Sequence, residues 1–303
     1  MLINGKDLAE SAYDHHHPHT HMHEHLALDK NHTHYLSTNI DIVENFIIDI
    51  CLLYQEMKKP VYSSDIISRF LLKLKTDFTH EEIYVILNDL RIRKIQSDLH
   101  SIMSAYEFKV EANYTTKMIL HPNPNLSDVL NSYYNGVYDN LIKLEIKSLY
   151  TCCPDLPSDT TKLHIIFIGS GPFPASALVF YQVLGAKITC IDIDLIAIDL
   201  STKLIQKLNL NDKISIKQSI DDVDLIGNEI IWIANLVFDK QNVLQLLIQK
   251  FHHGIFAIRS TEGLKTLRYE SINEDILANL QLERIGIKNP NANLSSTLFY
   301  KSR

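Results

Sequence analysis

The stretch F-I-G-S-G-P-F-P, Phe167–Pro174, constrains this chain more than any other. It follows an apolar run, Leu163–Ile168, with the composition of a buried parallel strand, and precedes a helix-like apolar run, Ala175–Leu184. Glycines in such a turn let the backbone approach a ligand, and the helix end favours negative charge. A second strand, Lys187–Ile191, ends in Asp192-Ile193-Asp194. An acid at that position can accept hydrogen bonds from a ribose diol. The residues predict a nucleoside-cofactor site built on Gly169, Ser170, Gly171, Pro172 and Asp192, with Asp194 either sharing the role or capping the next helix. A dinucleotide fingerprint needs a small residue at position 174, where Pro174 stands. Proline is tolerated at a helix start but lacks a donor that a pyrophosphate could use. The reading therefore shifts from NAD or FAD to S-adenosylmethionine, against the blander alternative of a strand–turn–helix with no ligand.

Beyond a proline-bearing junction, Cys152–Asp159, strands and helices alternate. Strands are expected at 163–168, 187–191, 213–217, 229–234, 254–259 and 296–300, which argues for an α/β parallel sheet. The last can be the antiparallel strand that closes methyltransferase-like sheets. Before the junction the chain reads as helical. Ile42, Phe46, Ile47, Ile50, Leu53 and Tyr54 recur at helical spacing in Ile40–Lys58. Ser63-Ser64-Asp65 and Thr79-His80-Glu81-Glu82 offer caps for the next two helices, and Arg91–Met118 runs without glycine or proline. Leu126–Leu149 follows, interrupted near Gly136. The expected organisation is a disordered histidine-rich tail at 1–37, a helical domain at 38–151 and a Rossmann-like domain at 152–303.

The tail holds nine of the 15 histidines, between His15 and His34. Imidazoles this dense bind nickel, zinc or copper, with His15, His16, His17, His19, His21, His23 and His25 as the ligands. Metal buffering and a dispensable tail are equally weighted readings. A formal charge of -7 argues against nucleic acid as a main partner. No apolar run is long enough for a membrane span, and the polar N-terminus does not read as a signal peptide. Cys51, Cys152, Cys153 and Cys190 lack C-x-x-C spacing, which fits a reducing cytosol. A homodimer is allowed, but nothing in the sequence requires one.

Several ordered segments resemble the nicotianamine synthase family. F-I-G-S-G-P-F-P is similar to the family's cofactor turn, and C-I-D-I-D-L-I-A, Cys190–Ala197, to its Asp-x-Asp strand end. I-W-I-A-N-L-V, Ile231–Val237, resembles its A-A-L-V strand end, with Asn235 in place of alanine. A-I-R-S-T-E-G, Ala257–Gly263, resembles V-R-S-A-x-G, and Tyr269 follows at the family distance. N-L-S-S-T-L-F-Y-K, Asn293–Lys301, is similar to the family's ending. In the helical half, Y-N-G-V-Y-D-N-L-I-K-L-E, Tyr134–Glu145, and A-Y-E-F-K-V-E-A-N-Y, Ala105–Tyr114, match two further motifs. The resemblance covers residues 95 to 303. Bacterial synthases of opine-type metallophores share the architecture.

The resemblance implies a class I methyltransferase-type sheet and transfer of the 3-amino-3-carboxypropyl arm of S-adenosylmethionine to an amine, releasing methylthioadenosine. Glu107 and Glu111, spaced i, i+4, share one helix face. The family match makes one of them the catalytic carboxylate rather than part of a solvated face. Tyr138, or Tyr134, can hydrogen-bond the attacking amine. Arg259, at a strand end, suits bidentate binding of a substrate carboxylate, against the alternative of a structural ion pair. Asp221 and Asn235 are further cofactor-side candidates. Competing expectations are a single-arm opine-metallophore enzyme, an ordinary methyltransferase, and a metal-binding protein whose catalytic half has decayed.

Overall fold

A computed structural model describes residues 30–133, 137–223, 229–251, 254–288 and 295–302, with backbone only at 30–39, 137 and 138. Residues 1–42 and 43–303 form two units. Of the first, the described part is the opening of helix α1 (Lys30–Met57), which starts inside the tract expected to be disordered. The histidines proposed as metal ligands, His15 to His25, lie outside the described residues.

In the second unit, the helical part owes its stability to one apolar stripe. Val43, Phe46, Ile47, Ile50, Leu53 and Met57 recur every three or four residues along α1 and are buried. Ile42, expected on that stripe, is exposed, because its position on the helix falls outside it. Helices α2 (Ser64–Lys73), α3 (His80–Asn88) and α4 (Leu90–Leu120) close this core with Phe70, Ile86 and Leu99. Leu264 and Leu267 join it from a 3-10 turn, Gly263–Leu267, so a later loop is anchored on the helices. Each such fully buried side chain contributes roughly 1.5–3 kcal/mol. The expected capping box forms: the Thr79 side chain accepts from the Glu82 amide and the Glu82 carboxylate accepts from the Thr79 amide. Ser63 occupies an N-cap position but makes no side-chain cap bond.

Helices α5 (Leu126–Ser132) and α6 (Val137–Cys152) lead to the sheet. Its strands are β1 (His164–Ile168), β2 (Lys187–Ile191), β3 (Ile214–Lys217), β4 (Glu229–Ile233), β5 (Ile255–Ser260), β6 (Leu282–Lys288) and β7 (Ser296–Ser302), in spatial order 3-2-1-4-5-7-6. Strands β1 to β5 are parallel, connected through α7 (Ala175–Leu184), α8 (Leu195–Lys207) and α9 (Lys240–Lys250). Strand β7 pairs antiparallel with both β5 and β6, and a short α10 (Glu274–Asn279) precedes β6. The expected α/β sheet is present with its closing antiparallel strand. The seventh strand, β6, was not expected; its Glu283 and Arg284 sit side by side at an exposed edge, and a bulge at Arg284/Gly286 breaks its alternation. The order reverses between β1 and β4, which places a crevice at the carboxyl ends of the central strands.

Candidate functional site

The turn after β1 adopts a shape that only glycine allows at two points. Gly169 and Gly171 have φ of +76° and +67°. A Cβ on Gly169 would stand 2.5 Å from Val237 Cγ2, and a Cβ on Gly171 would run into Glu111 Oε2. The turn is pinned to β2: the Gly169 amide donates to the Ile191 carbonyl at 2.8 Å, and the Gly171 amide to Asp192 Oδ2 at 2.7 Å. Asp192 Oδ1 accepts from the Asp194 amide at 3.0 Å. Each Asp192 oxygen retains acceptor capacity for an incoming hydroxyl. Asp194 caps α8, accepting from the Ile196 and Ala197 amides.

Helix α4 lies against this turn with one face. Glu107, Glu111 and Thr115 succeed each other at i, i+4 and i+8. Thr115 Oγ1, fully buried, donates to the Pro172 carbonyl at 3.1 Å. Glu111 accepts from the Phe173 amide and from the Tyr133 hydroxyl. Burial drives its pKa well above the ordinary carboxylate range; the nearby Glu107 and Asp192 carboxylates push the same way, and the two donors offset part of the rise. Tyr133 is itself fixed between Tyr114 and Phe173, with ring centroids at 4.8 and 4.3 Å.

Glu107 is held differently. Its Oε1 accepts from Arg268 Nε at 3.0 Å, from Arg268 Nη2 at 2.7 Å and from the Tyr269 hydroxyl at 2.9 Å. The segment carrying Arg268 and Tyr269 follows the 3-10 turn and is held to α4 higher up, where Gln96 and His100 both bond the Thr266 carbonyl. A cleft of about 470 Å³ opens between α4, the β2 and β4 carboxyl ends and this segment, lined among others by Phe108, Asp194, Asn235, Phe238, Tyr269 and Glu270.

The other expected residues fall in three groups. Asn235, following the end of β4, lines the cleft and donates from Nδ2 to Ser295 Oγ at 2.9 Å. Asp221 lies on an exposed 3-10 turn, 3.4 Å from Lys250 Nζ. Arg259 is buried and gives Nε and Nη2 to the two oxygens of Glu145 at 2.9 Å each. Glu145 is fully buried on α6 and accepts a third bond from Thr297. Tyr134 lies outside the described residues, as does the side chain of Tyr138. Sequence reasoning missed Tyr133, Arg268 and Glu145. Glu145 closes the quoted segment Tyr134–Glu145, and Arg268 directly precedes the noted Tyr269; adjacency was the available signal.

A family model described as nicotianamine synthase protein matches residues 39–299. An L-histidine 2-aminobutanoyltransferase from Yersinia pestis is 32% identical over 104 residues, 34% of this chain and 39% of that protein. The match thus spans well under half of that relative. Crystal structures of MtNAS are similar throughout. A point mutant matches with a TM-score of 0.67 and 18% identity, covering 87% of this chain and 98% of that one. The complex with MTA and tNA gives the same figures, and the mutant with S-adenosylmethionine covers 85% of this chain at the same score. At this identity the likeness establishes the fold.

Proposed function

Because the chain belongs to the nicotianamine synthase family, matched over residues 39–299, we propose that it transfers the 3-amino-3-carboxypropyl arm of S-adenosylmethionine to an amine, releasing methylthioadenosine and building a nicotianamine-type metallophore. The observation that carries this reading is the Glu111 carboxyl against the Gly171 backbone, inside the turn expected to take the cofactor. An ordinary methyl-donor site has no need of a buried carboxyl from a separate helix there.

The chain's residues fit such a ligand. Gly169 and Gly171 let the turn's backbone pack directly against Val237 and Glu111, and Asp192 retains acceptor capacity for a ribose diol. Asp194, Asn235 and, more remotely, Asp221 are the further cofactor-side groups. S-adenosylmethionine supplies a sulfonium that activates the adjacent carbon. Attack forms the N–C bond as the S–C bond breaks, and the bonding pair leaves on sulfur as a neutral thioether. The chain must orient the two reactants in line and accept the amine's proton. Glu111, in its ionised form, takes that proton: burial raises its pKa, so its carboxylate holds a proton more tightly than a solvent-exposed one. Glu107 is held in place beside it by Arg268 and Tyr269. Tyr138 and Tyr134 remain the candidate partners of the amine.

A second reading is an opine-metallophore synthase that adds one aminobutyrate arm to histidine or another amino acid. The match to the Yersinia pestis enzyme favours it over a limited stretch. Incubation with S-adenosylmethionine alone, followed by mass spectrometry, separates the two. The first reading expects methylthioadenosine and a product assembled from several arms. The second expects methylthioadenosine only after histidine or another amine is added. No methylthioadenosine under any of these conditions overturns both.

We infer further that the enzyme acts in the cytoplasm on small molecules, without nucleic-acid or membrane partners. Among the described residues no helix is long and apolar enough to cross a membrane, and the four cysteines are free. The histidine tract is assigned to nickel or zinc. Deleting residues 1–28 is expected to abolish nickel binding at several equivalents per chain, measured by equilibrium dialysis, with methylthioadenosine release unchanged. Retained binding after the deletion removes the assignment.

A further inference from the structure

Two buried acceptor atoms on residues that line the cleft have no hydrogen-bond partner among the described residues. Glu270 Oε2 and Asn235 Oδ1 are both buried and unbonded. A carboxylate oxygen taken out of water without a donor costs free energy, so such an atom calls for a ligand that donates. Glu270 is not loosely placed. Lys240, 1% exposed, donates from Nζ to the Glu270 carbonyl at 2.9 Å and to the Arg259 carbonyl at 3.1 Å. The preceding Tyr269 carbonyl accepts from Thr261 Oγ1 at 3.1 Å. The backbone of Glu270, a residue lining the cleft, is thereby fixed to the end of β5 and the start of α9. Asn235 is likewise fixed, through its Nδ2, on Ser295.

On the reading of the preceding subsection, we propose that Glu270, with the carbonyl oxygen of Asn235, is the subsite for a protonated amine of the reacting amino acids. Such a group carries three donors and one positive charge, which matches a carboxylate and an amide oxygen. The subsite serves an amine that must stay protonated and does not react. It lies apart from Glu111, which handles the amine that must lose its proton.

The test is Glu270→Gln, which keeps the shape and removes the charge. Calorimetric titration compares S-adenosylhomocysteine, which retains the amino-acid arm, with methylthioadenosine, which lacks it. A tenfold or greater loss for S-adenosylhomocysteine, with methylthioadenosine unchanged, assigns the subsite to the amine of the donor. Unchanged binding of both, with KM for the acceptor shown by the product test raised tenfold or more and kcat within about threefold, assigns it to the amine of the acceptor. Unchanged binding and kinetics overturn the proposal, as does equal weakening of both ligands, which marks Glu270 as a support of the cleft. If neither ligand binds the wild-type protein, the cofactor reading itself falls and takes the subsite with it.

Discussion

Glu111→Gln is expected to melt at a higher temperature than the wild-type protein at pH 8 and to release methylthioadenosine at least about 100-fold more slowly. The two effects have one origin. Burial, with Glu107 and Asp192 nearby, holds the folded-state pKa of Glu111 above its unfolded value of 4.5. For a carboxyl raised in this way, the stabilisation is fully present below about pH 4.5 and is lost as pH rises through the folded pKa. Glutamine keeps the size and carries no such loss. The gap in melting temperature is therefore small at pH 4 and widens as pH rises, by about 2–4 °C per kcal/mol relieved in a unit of this size. Melting curves at pH 4 and pH 8 check the first effect, and methylthioadenosine release checks the second. A variant that melts below wild type at both values contradicts the strained carboxyl, and normal turnover removes Glu111 from the chemistry.

Glu145→Ala is expected to cost about 3–5 kcal/mol, a large share of the roughly 5–15 kcal/mol that separates folded from unfolded chains. Arg259 and Glu145 are 5% and 0% exposed, so neither charge is screened by water. Lys288, also buried, feels both: Glu145 favours its charge and Arg259 opposes it, while burial pulls its pKa below the usual lysine range. Without Glu145, the Arg259 guanidinium is left in the interior without its carboxylate. Urea unfolding of Glu145→Ala and of Glu145→Leu combined with Arg259→Met provides the check. The double variant is expected to be the more stable of the two, because it leaves no buried guanidinium without its carboxylate. Equal or greater loss in the double variant shows that packing, rather than charge, dominates there.

The parts of the site legible in the sequence were those set by local geometry. The G-S-G-P turn, the acid ending β2 and the i, i+4 glutamates each sit within a few residues of the pattern that announces them. Arg259 shows where locality fails. Its place at a strand end left a substrate carboxylate and a structural ion pair both open, and the partner it does have lies on a helix 114 residues away, farther than any spacing rule reaches. Tyr133 escaped for a related reason: the neighbouring Tyr134 and Tyr138 drew the attention, while ring packing against Phe173 aims Tyr133 at Glu111. Strand β6 went unread because an edge strand with a bulge has neither a continuous apolar run nor strict alternation.

Helix α4 meets two separate pieces of chain at three points of a single stripe: the Arg268–Tyr269 segment through Glu107, and the glycine turn through Glu111 and, at the Pro172 carbonyl, through Thr115. The stripe is about 12 Å long at the rise of an α-helix. It therefore behaves as a ruler whose marks cannot be moved independently. Inserting or deleting one residue upstream within the helix turns all three marks by about 100° at once. Substitutions can retune this protein one contact at a time, whereas length changes are tolerable only in the loops that flank the helix.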